Sequence, residues 1–267
     1  MSFLAPPQRS VVRPIASLFA LALLFPSLGC QGPGERVTPQ RPTFTTDTQT
    51  TAVGTVELES GIGVDPGDSV DTPQTLKIGL EERTELSIGL SPYLKVERPG
   101  PDGEGISDLV VAVRHRIHTW PDTTSAAVQI ATKLTTADEG EGLGSGEMDF
   151  FLTGILTRQF DSVSVVGNYR LGLLGDPDDD DADAQHALSV AAGVPVSGLP
   201  ASVFGEVTGI ASDVAEDVVF GIFGGAYEIR PSLVLDAAIV VGMNDDAPDF
   251  QVLFGFTSNF GRLFEVL

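Results

Sequence analysis

Apolar and polar side chains alternate with a period of two over almost the whole chain after residue 54. In residues 84–96, one phase holds Leu86, Ile88, Leu90, Leu94 and Val96, and the other includes Glu85, Ser87 and Lys95. This alternation predicts β-strands with one apolar and one polar face. Twelve such segments begin near residues 54, 74, 84, 106, 124, 148, 162, 185, 200, 216, 232 and 249. The segment at residues 218–229 is apolar on both faces, so its register cannot be read.

Strand length and loop length both indicate a membrane barrel. Most segments run ten to fourteen residues, whereas soluble strands average about five or six and tilted membrane strands need roughly nine to eleven. Long connections such as ERPGPDGEG alternate with short ones such as EER, which is typical of outer-membrane barrels. We therefore predict an all-β fold, a twelve-stranded antiparallel outer-membrane β-barrel over residues 54–267, with its last strand paired to its first. A soluble β-sandwich is the alternative.

The first residues predict export. Residues 1–29 combine Arg9 and Arg13 with a short apolar run at residues 15–25, which is typical of a signal peptide and too short to span a bilayer. An uncleaved anchor is the alternative. Cys30, the only cysteine, resembles the acylated residue of a lipobox, although ordinary cleavage nearby stays open. We expect residues 30–53, rich in proline, threonine and glutamine, to be a flexible periplasmic leader.

Charged residues fall on the polar phase of the strands, which we expect to face the lumen. A closed soluble core could not bury so many charges unpaired. The predicted lumen-lining residues are Glu85, Lys95, Asp108, Arg114, Arg116, Lys133, Asp149, Arg170, Glu206 and Asp236, with Glu57, Glu59 and Lys77 on the same face. They could form a polar conduit that selects a small solute, or a salt-bridge network that braces a closed barrel.

Arg114 and Arg116 lie two residues apart and should point the same way. Together they could bind a carboxylate, or each could pair with an acid on a neighbouring strand. With Lys133 they are expected to form the main basic patch of the lumen.

Charge and motifs exclude several functions. The formal net charge is −22, and removal of the signal peptide would leave 13 basic against 37 acidic residues, which argues against nucleic acid binding. No G-x-S-x-G or His-x-Ser motif is present, so we predict no catalytic residues, no cofactor and no metal site.

The acidic run at Asp178–Asp181, flanked by Asp176 and Asp183, is either a solvated loop tip or a site for divalent cations.

Four stretches resemble the outer-membrane transporter family of the meta-pathway of phenol degradation, a group of twelve-stranded barrels. They are GISDLVVAVRHRI, GLGSGEMDFFLTGILTRQF, VSVVGNYRLGLLG and GGAYEIRPSLVLDAAIVVGMNDDAPDFQVLFGFTSNF. The resemblance implies passage of hydrophobic or aromatic compounds, with Asp108, Asp149, Tyr227 and Asp236 at recurring structural or lumen-lining positions. The chain departs from many such barrels at its end, where residues 262–267 follow Phe260.

The combined expectation is a non-enzymatic channel or transporter in the bacterial outer membrane. Its partners would be the lipid bilayer, a small solute that the resemblance implies to be hydrophobic or aromatic, and divalent cations if the acidic loops bind them. The alternative is a structural or adhesive barrel with a sealed lumen, whose acidic loops bind a partner.

Overall fold

The computed structural model describes residues 36–66, 68–97, 103–176 and 182–264. These contain fifteen strands and one short 3-10 helix, Glu139–Glu141. In chain order the strands are β1 Thr55–Asp65, β2 Ser69–Asp71, β3 Gln74–Glu81, β4 Thr84–Leu90, β5 Leu94–Val96, β6 Gly103–Gly105, β7 Leu109–Thr119, β8 Thr124–Leu134, β9 Asp149–Phe160, β10 Val163–Gly175, β11 Ala182–Pro195, β12 Ala201–Ser212, β13 Val218–Arg230, β14 Leu233–Gly242 and β15 Phe250–Arg262.

Twelve of these strands form a closed antiparallel barrel, which confirms the predicted fold. Around the wall the order is β1, β3, β4 and then β7 to β15, and β15 pairs back onto β1 from Thr55↔Arg262 to Val64↔Val252. Every predicted strand start lies within three residues of an observed one. Local alternation was sufficient to locate the strands because the side-chain period along a strand is two.

The two ends of the barrel differ in their connections. At the short-turn end, β3, β7, β9, β11 and β13 are followed by turns of two to five residues. At the long-loop end, the short strands β2, β5 and β6 extend the sheet beyond β1 by successive antiparallel pairing. The predicted alternation of short and long connections is therefore present in the structure.

The apolar phase faces outward and the charged phase faces inward. Leu188 and Ile130 are each 62% exposed on the outer face, whereas Glu57 and Lys77 are at most 1% exposed. A soluble barrel would have the reverse arrangement. An apolar outer belt around a charged interior is what a lipid-embedded barrel requires.

Across residues 36–66, 68–97, 103–176 and 182–264, no helix is both long and apolar enough to be a candidate membrane span.

Residues 36–53 lie inside the barrel, whereas the sequence predicted a flexible periplasmic leader over residues 30–53, of which residues 30–35 lie outside the described residues. We call residues 36–53 the lumen segment. It enters at the short-turn end, where the Val37 amide donates to the Pro231 carbonyl at 2.9 Å. It returns to that end where Val53 forms a parallel bridge with Gly79. Between these points side chains of the wall accept hydrogen bonds from several of its backbone amides, including those of Thr38, Thr45 and Thr51.

The predicted signal peptide, Cys30 and the acidic run at Asp178–Asp181 lie outside the described residues. Their roles stay predictions.

Candidate functional site

Four glutamates of the wall hold the backbone of the lumen segment. Buried backbone amides need acceptors, and this segment has no strand partner to supply them over most of its length. Each carboxylate accepts at least one N–H at 2.7–3.2 Å: Thr38 donates to Glu57, Gln40 to Glu59, Thr45 to Glu206 and Thr51 to Glu85. These inward acids therefore bind the protein's own chain.

Basic residues on neighbouring strands neutralise three of these acids. The Lys77 ammonium lies 3.0 Å from Glu57 and 2.8 Å from Glu59, and it also donates to the Thr38 carbonyl at 2.5 Å. Glu57 and Lys77 are register partners on β1 and β3, so the pair is fixed by strand pairing. Charge-assisted hydrogen bonds of this kind are stronger than neutral ones.

Arg114 links the wall to the part of the lumen segment that follows Phe44. It pairs with Glu85, its register partner on β4, and donates to the Asp47 carbonyl at 2.9 Å. For Arg114 the contacts match the second alternative, pairing with an acid on a neighbouring strand. Arg116 lies nearer the short-turn end and donates to the Glu82 carbonyl at 2.8 Å. The two guanidiniums therefore do not converge on one ligand.

Arg41 fixes the lumen segment near mid-barrel. Its guanidinium lies against Gly61 and Gly255, where an added Cβ would fall 2.1 Å and 2.6 Å from its nitrogens. One of its nitrogens lies 3.6 Å from the Asp236 carboxylate. Within the described residues that carboxylate accepts no hydrogen bond, so Arg41 supplies its counter-charge through space. Two opposed glycines thus provide the room that a large cation requires.

Phe44, at the tip of the lumen segment, packs into a small apolar cluster inside the barrel. Its ring meets Phe220 edge-on, with centroids 6.0 Å apart, and it contacts a buried group of Ile222, Ala238 and Val240. This explains why β13 reads as apolar on both faces: Phe223 and Tyr227 face outward, whereas Phe220 and Ile222 contact Phe44.

Two cavities flank the lumen segment and share no lining residue. The short-turn cavity has a volume of about 580 Å³ and lies between the segment and β10 to β14, where Val166, Phe204 and Val234 line it. The long-loop cavity has a volume of about 510 Å³ and is lined by residues of β3, β4 and β7 to β10, including Lys133 and Arg170. The segment meets the second cavity where Arg170 lies 4.6 Å from the Phe44 ring.

Asp108, Lys133 and Asp149 come together at the long-loop end. The Lys133 ammonium lies 2.9 Å from Asp149 and 3.7 Å from Asp108. Asp108 also accepts the Thr136 and Ala137 amides at 2.9 Å and 2.8 Å, and so holds the loop that follows β8. The expected basic patch of Arg114, Arg116 and Lys133 is therefore dispersed, because each base has its own partner along the barrel.

Lys95 differs from the expected lumen-lining position, and of the two roles implied for Tyr227, structural or lumen-lining, its place on the outer face does not match the second. Lys95 lies on β5, beyond the twelve barrel strands, with 38% of its side chain exposed. It pairs with Glu97, whose carboxylate raises the pKa of the Lys95 ammonium. Tyr227 is 45% exposed on the outer face. Lys95 was misplaced because the alternation continues from β4 into β5 across the break at residues 91–93.

Sequence reasoning missed Arg41 and Phe44, which lie in the lumen segment. One feature of the sequence pointed to them: β13 is apolar on both faces. An apolar face toward the lumen indicates that an apolar group lies inside the barrel. Within the described residues, no group of three or more His, Cys, Asp or Glu is arranged to hold a metal ion.

A closed twelve-stranded antiparallel barrel with an apolar exterior and a charged interior is an outer-membrane barrel. The chain belongs to the family described as "Putative MetA-pathway of phenol degradation", whose sequence model matches residues 31–260. That match includes the whole lumen segment.

The chain is similar to several solved structures of barrels at low sequence identity. The translocator domain of the autotransporter NalP from Neisseria meningitidis gives a TM-score of 0.50 at 11% identity, over 79% of this chain and 90% of that one. A porin gives a TM-score of 0.39 at 14% identity. The match covers 82% of this chain but only 66% of the porin, just under two thirds of its length. An anion-selective porin from Comamonas acidovorans gives 0.40 at 7% identity, over 77% and 98% of the two chains. No curated protein matches the sequence.

Proposed function

We propose that the protein is an outer-membrane channel for small solutes in which the lumen segment is the gate. The fold and the family both suggest a channel or transport role. One observation carries the proposal. The barrel contains two separate cavities, of about 580 and 510 Å³, and residues 36–53 fill the part of the lumen at the short-turn end. Displacement of the segment would join the two cavities into one path.

The contacts of the lumen segment suit a movable element. Most are hydrogen bonds from its backbone and side chains to polar groups of the wall. Because such bonds exchange for bonds to water, each contributes only about 0.5–3 kcal/mol net. A segment held mainly by apolar packing would lose about 1.5–3 kcal/mol for each large side chain moved into water, with no new bonds to water in exchange. The polar attachment is thus compatible with release into a hydrated lumen.

The solutes we propose are small, uncharged or weakly charged, and in part hydrophobic or aromatic. Apolar residues, including Val166, Phe204 and Val234, line much of the short-turn cavity. Twelve strands enclose a lumen between that of eight-stranded barrels, which side chains fill, and that of wide sixteen-stranded porins. The protein would act without covalent chemistry.

A sealed structural or adhesive barrel is the second candidate. The observation in its favour is the number of points at which the wall holds the lumen segment, from Glu57 through Glu206 to Glu85. In that case the same charges would brace the wall, and the acidic loops would carry the function.

Replacement of residues 38–49 by a glycine–serine chain of equal length distinguishes the two candidates. In planar bilayers the variant should conduct well above the wild-type protein, because the wall contacts of the segment are gone. The matched control replaces the loop at residues 213–217 in the same way and should conduct like the wild type. If the first variant folds, judged by heat-modifiable migration, yet passes no ions, the gated channel is rejected and the sealed barrel stands.

A further inference from the structure

We propose that the long-loop cavity binds a small organic carboxylate, with Arg170 as the residue that recognises the charge. This inference deepens the proposed function by naming a substrate class, and it rests on solutes reaching this cavity. It arises from a difference between Arg170 and three other inward bases of the barrel, Lys77, Arg114 and Lys133.

Arg170 has no acidic partner in the part of the chain that the structure describes. Lys77, Arg114 and Lys133 each form an ion pair with a carboxylate on a neighbouring strand. The register partners of Arg170 are Thr153 on β9 and Ala187 on β11, neither of which is acidic. Arg170 is half-buried, and a cation partly withdrawn from water without a counter-ion carries a desolvation cost, so a site of this kind favours an incoming anion.

The hydrogen-bonding capacity of Arg170 is largely unused within the described residues. Its hydrogen bond there runs to the neutral Gln185 amide oxygen at 3.2 Å, and its buried Nε has no partner. A guanidinium carries five N–H donors in a fork that matches the two oxygens of a carboxylate. The donors that a carboxylate requires are therefore present.

Two aromatic rings hold the guanidinium in place without consuming those donors. Its central carbon lies 4.6 Å from the Phe44 ring centroid and 5.1 Å from that of Phe151. Cation–π contacts of this kind orient an arginine through its charge. Since Phe44 is the tip of the lumen segment, a ligand at Arg170 would lie beside the proposed gate.

The remainder of the cavity fits a small molecule with one charged end. A volume of about 510 Å³ is within the range of small-molecule pockets. Phe151 and Ala131 offer apolar surface, and Gln129 and Thr153 offer polar atoms. Asp108 also lines the cavity, but its carboxylate already accepts two backbone amides.

Calorimetric titration of the refolded full chain in detergent tests the site, with benzoate as the probe and benzamide as its uncharged isostere. Benzoate should bind the wild-type protein at least tenfold more tightly than benzamide. Arg170→Gln should weaken benzoate binding by about tenfold to a hundredfold, the effect of losing hydrogen bonds to a charged group. Benzamide binding should not change.

Arg158→Gln is the matched control. Arg158 also stacks on a phenylalanine, with 4.8 Å to the Phe160 centroid, but it lies at the outer rim with 48% of its side chain exposed. This variant should bind benzoate like the wild type. Arg170→Lys, which keeps the charge but not the fork, should fall between the wild type and Arg170→Gln.

Equal binding of benzoate and benzamide by the wild type would overturn the proposal, even if Arg170→Gln failed to fold. Unchanged benzoate binding by a folded Arg170→Gln variant would overturn it as well. Calorimetry does not require an open lumen. Tight benzoate binding by a protein that passes no solute would therefore leave this site standing and reject only the gated channel.

Discussion

Gly61 on β1 and Gly255 on β15 are register partners across the strand pair that closes the barrel, and the Arg41 guanidinium lies against both. A side chain at either position would occupy the volume of that guanidinium. The closure of the wall and the placement of the lumen segment thus depend on the same pair of residues.

Gly61→Ala should release the middle of the lumen segment. The new methyl group would lie 2.1 Å from Arg41 Nη2, and overpacking of this kind costs typically about 1–3 kcal/mol. We expect a lower thermal unfolding temperature in detergent and faster chymotrypsin cleavage after Phe44 in the lumen segment. Gly167→Ala is the control, because its methyl group would meet no atom closer than 4.0 Å. If both variants behave like the wild type, Arg41 does not hold the segment as described.

Lys77→Gln should destabilise the folded barrel strongly. It would leave the Glu57 and Glu59 carboxylates, 0% and 5% exposed, without the cation between them. Breaking a buried ion pair from one side costs about 3–5 kcal/mol, and the denaturant midpoint measures this loss. Adding Glu57→Gln should restore part of it. Lys95→Gln, which removes the exposed partner of Glu97, should leave the midpoint unchanged. Equal midpoints for Lys77→Gln and the wild type would contradict a stabilising role for this ion pair.

Phe44→Ala should raise solute flux more than it lowers stability. The ring is partly buried against Phe220 and Arg170, so the loss should stay below the 3–5 kcal/mol typical of a fully buried phenylalanine. Liposome swelling with small uncharged solutes measures the flux. Phe254→Ala removes a ring that is 55% exposed on the outer face and should not change flux. Wild-type flux through the Phe44→Ala variant would show that the Phe44 ring does not restrict the passage of solutes.

The wall of this barrel could be predicted from local sequence, but its occupant could not. Each strand carries its own alternation, so Leu86 and Glu85 were assigned to opposite faces without knowledge of any neighbour. The lumen segment has no such pattern, and its contacts join residues far apart in the chain, such as Thr45 and Glu206, 161 positions away. Its proline, threonine and glutamine residues resemble those of a linker.

For the charged residues, too, the sequence predicts the face of the strand but not the partner. Sequence placed Glu85, Arg114 and Glu206 on the polar phase, but their partners depend on strand register and on the position of the lumen segment. Glu85 and Arg114 pair because β4 and β7 bring them opposite each other. Glu206 accepts the Thr45 amide only because the segment turns back within the barrel. Periodicity gives the direction of a side chain and not the identity of what it meets.

A reversible disulfide between the lumen segment and the wall tests the gate most directly. The Thr48 and Ser125 hydroxyl oxygens lie 2.5 Å apart, so cysteines at these two positions are close enough to form a disulfide. Cys30→Ala in the same chain removes the only natural cysteine. Solute flux into liposomes should be low for the oxidised Thr48→Cys/Ser125→Cys protein and should rise on reduction, whereas either single variant should not respond. Equal flux in the oxidised and reduced states, with the disulfide verified by mass spectrometry, would contradict the account.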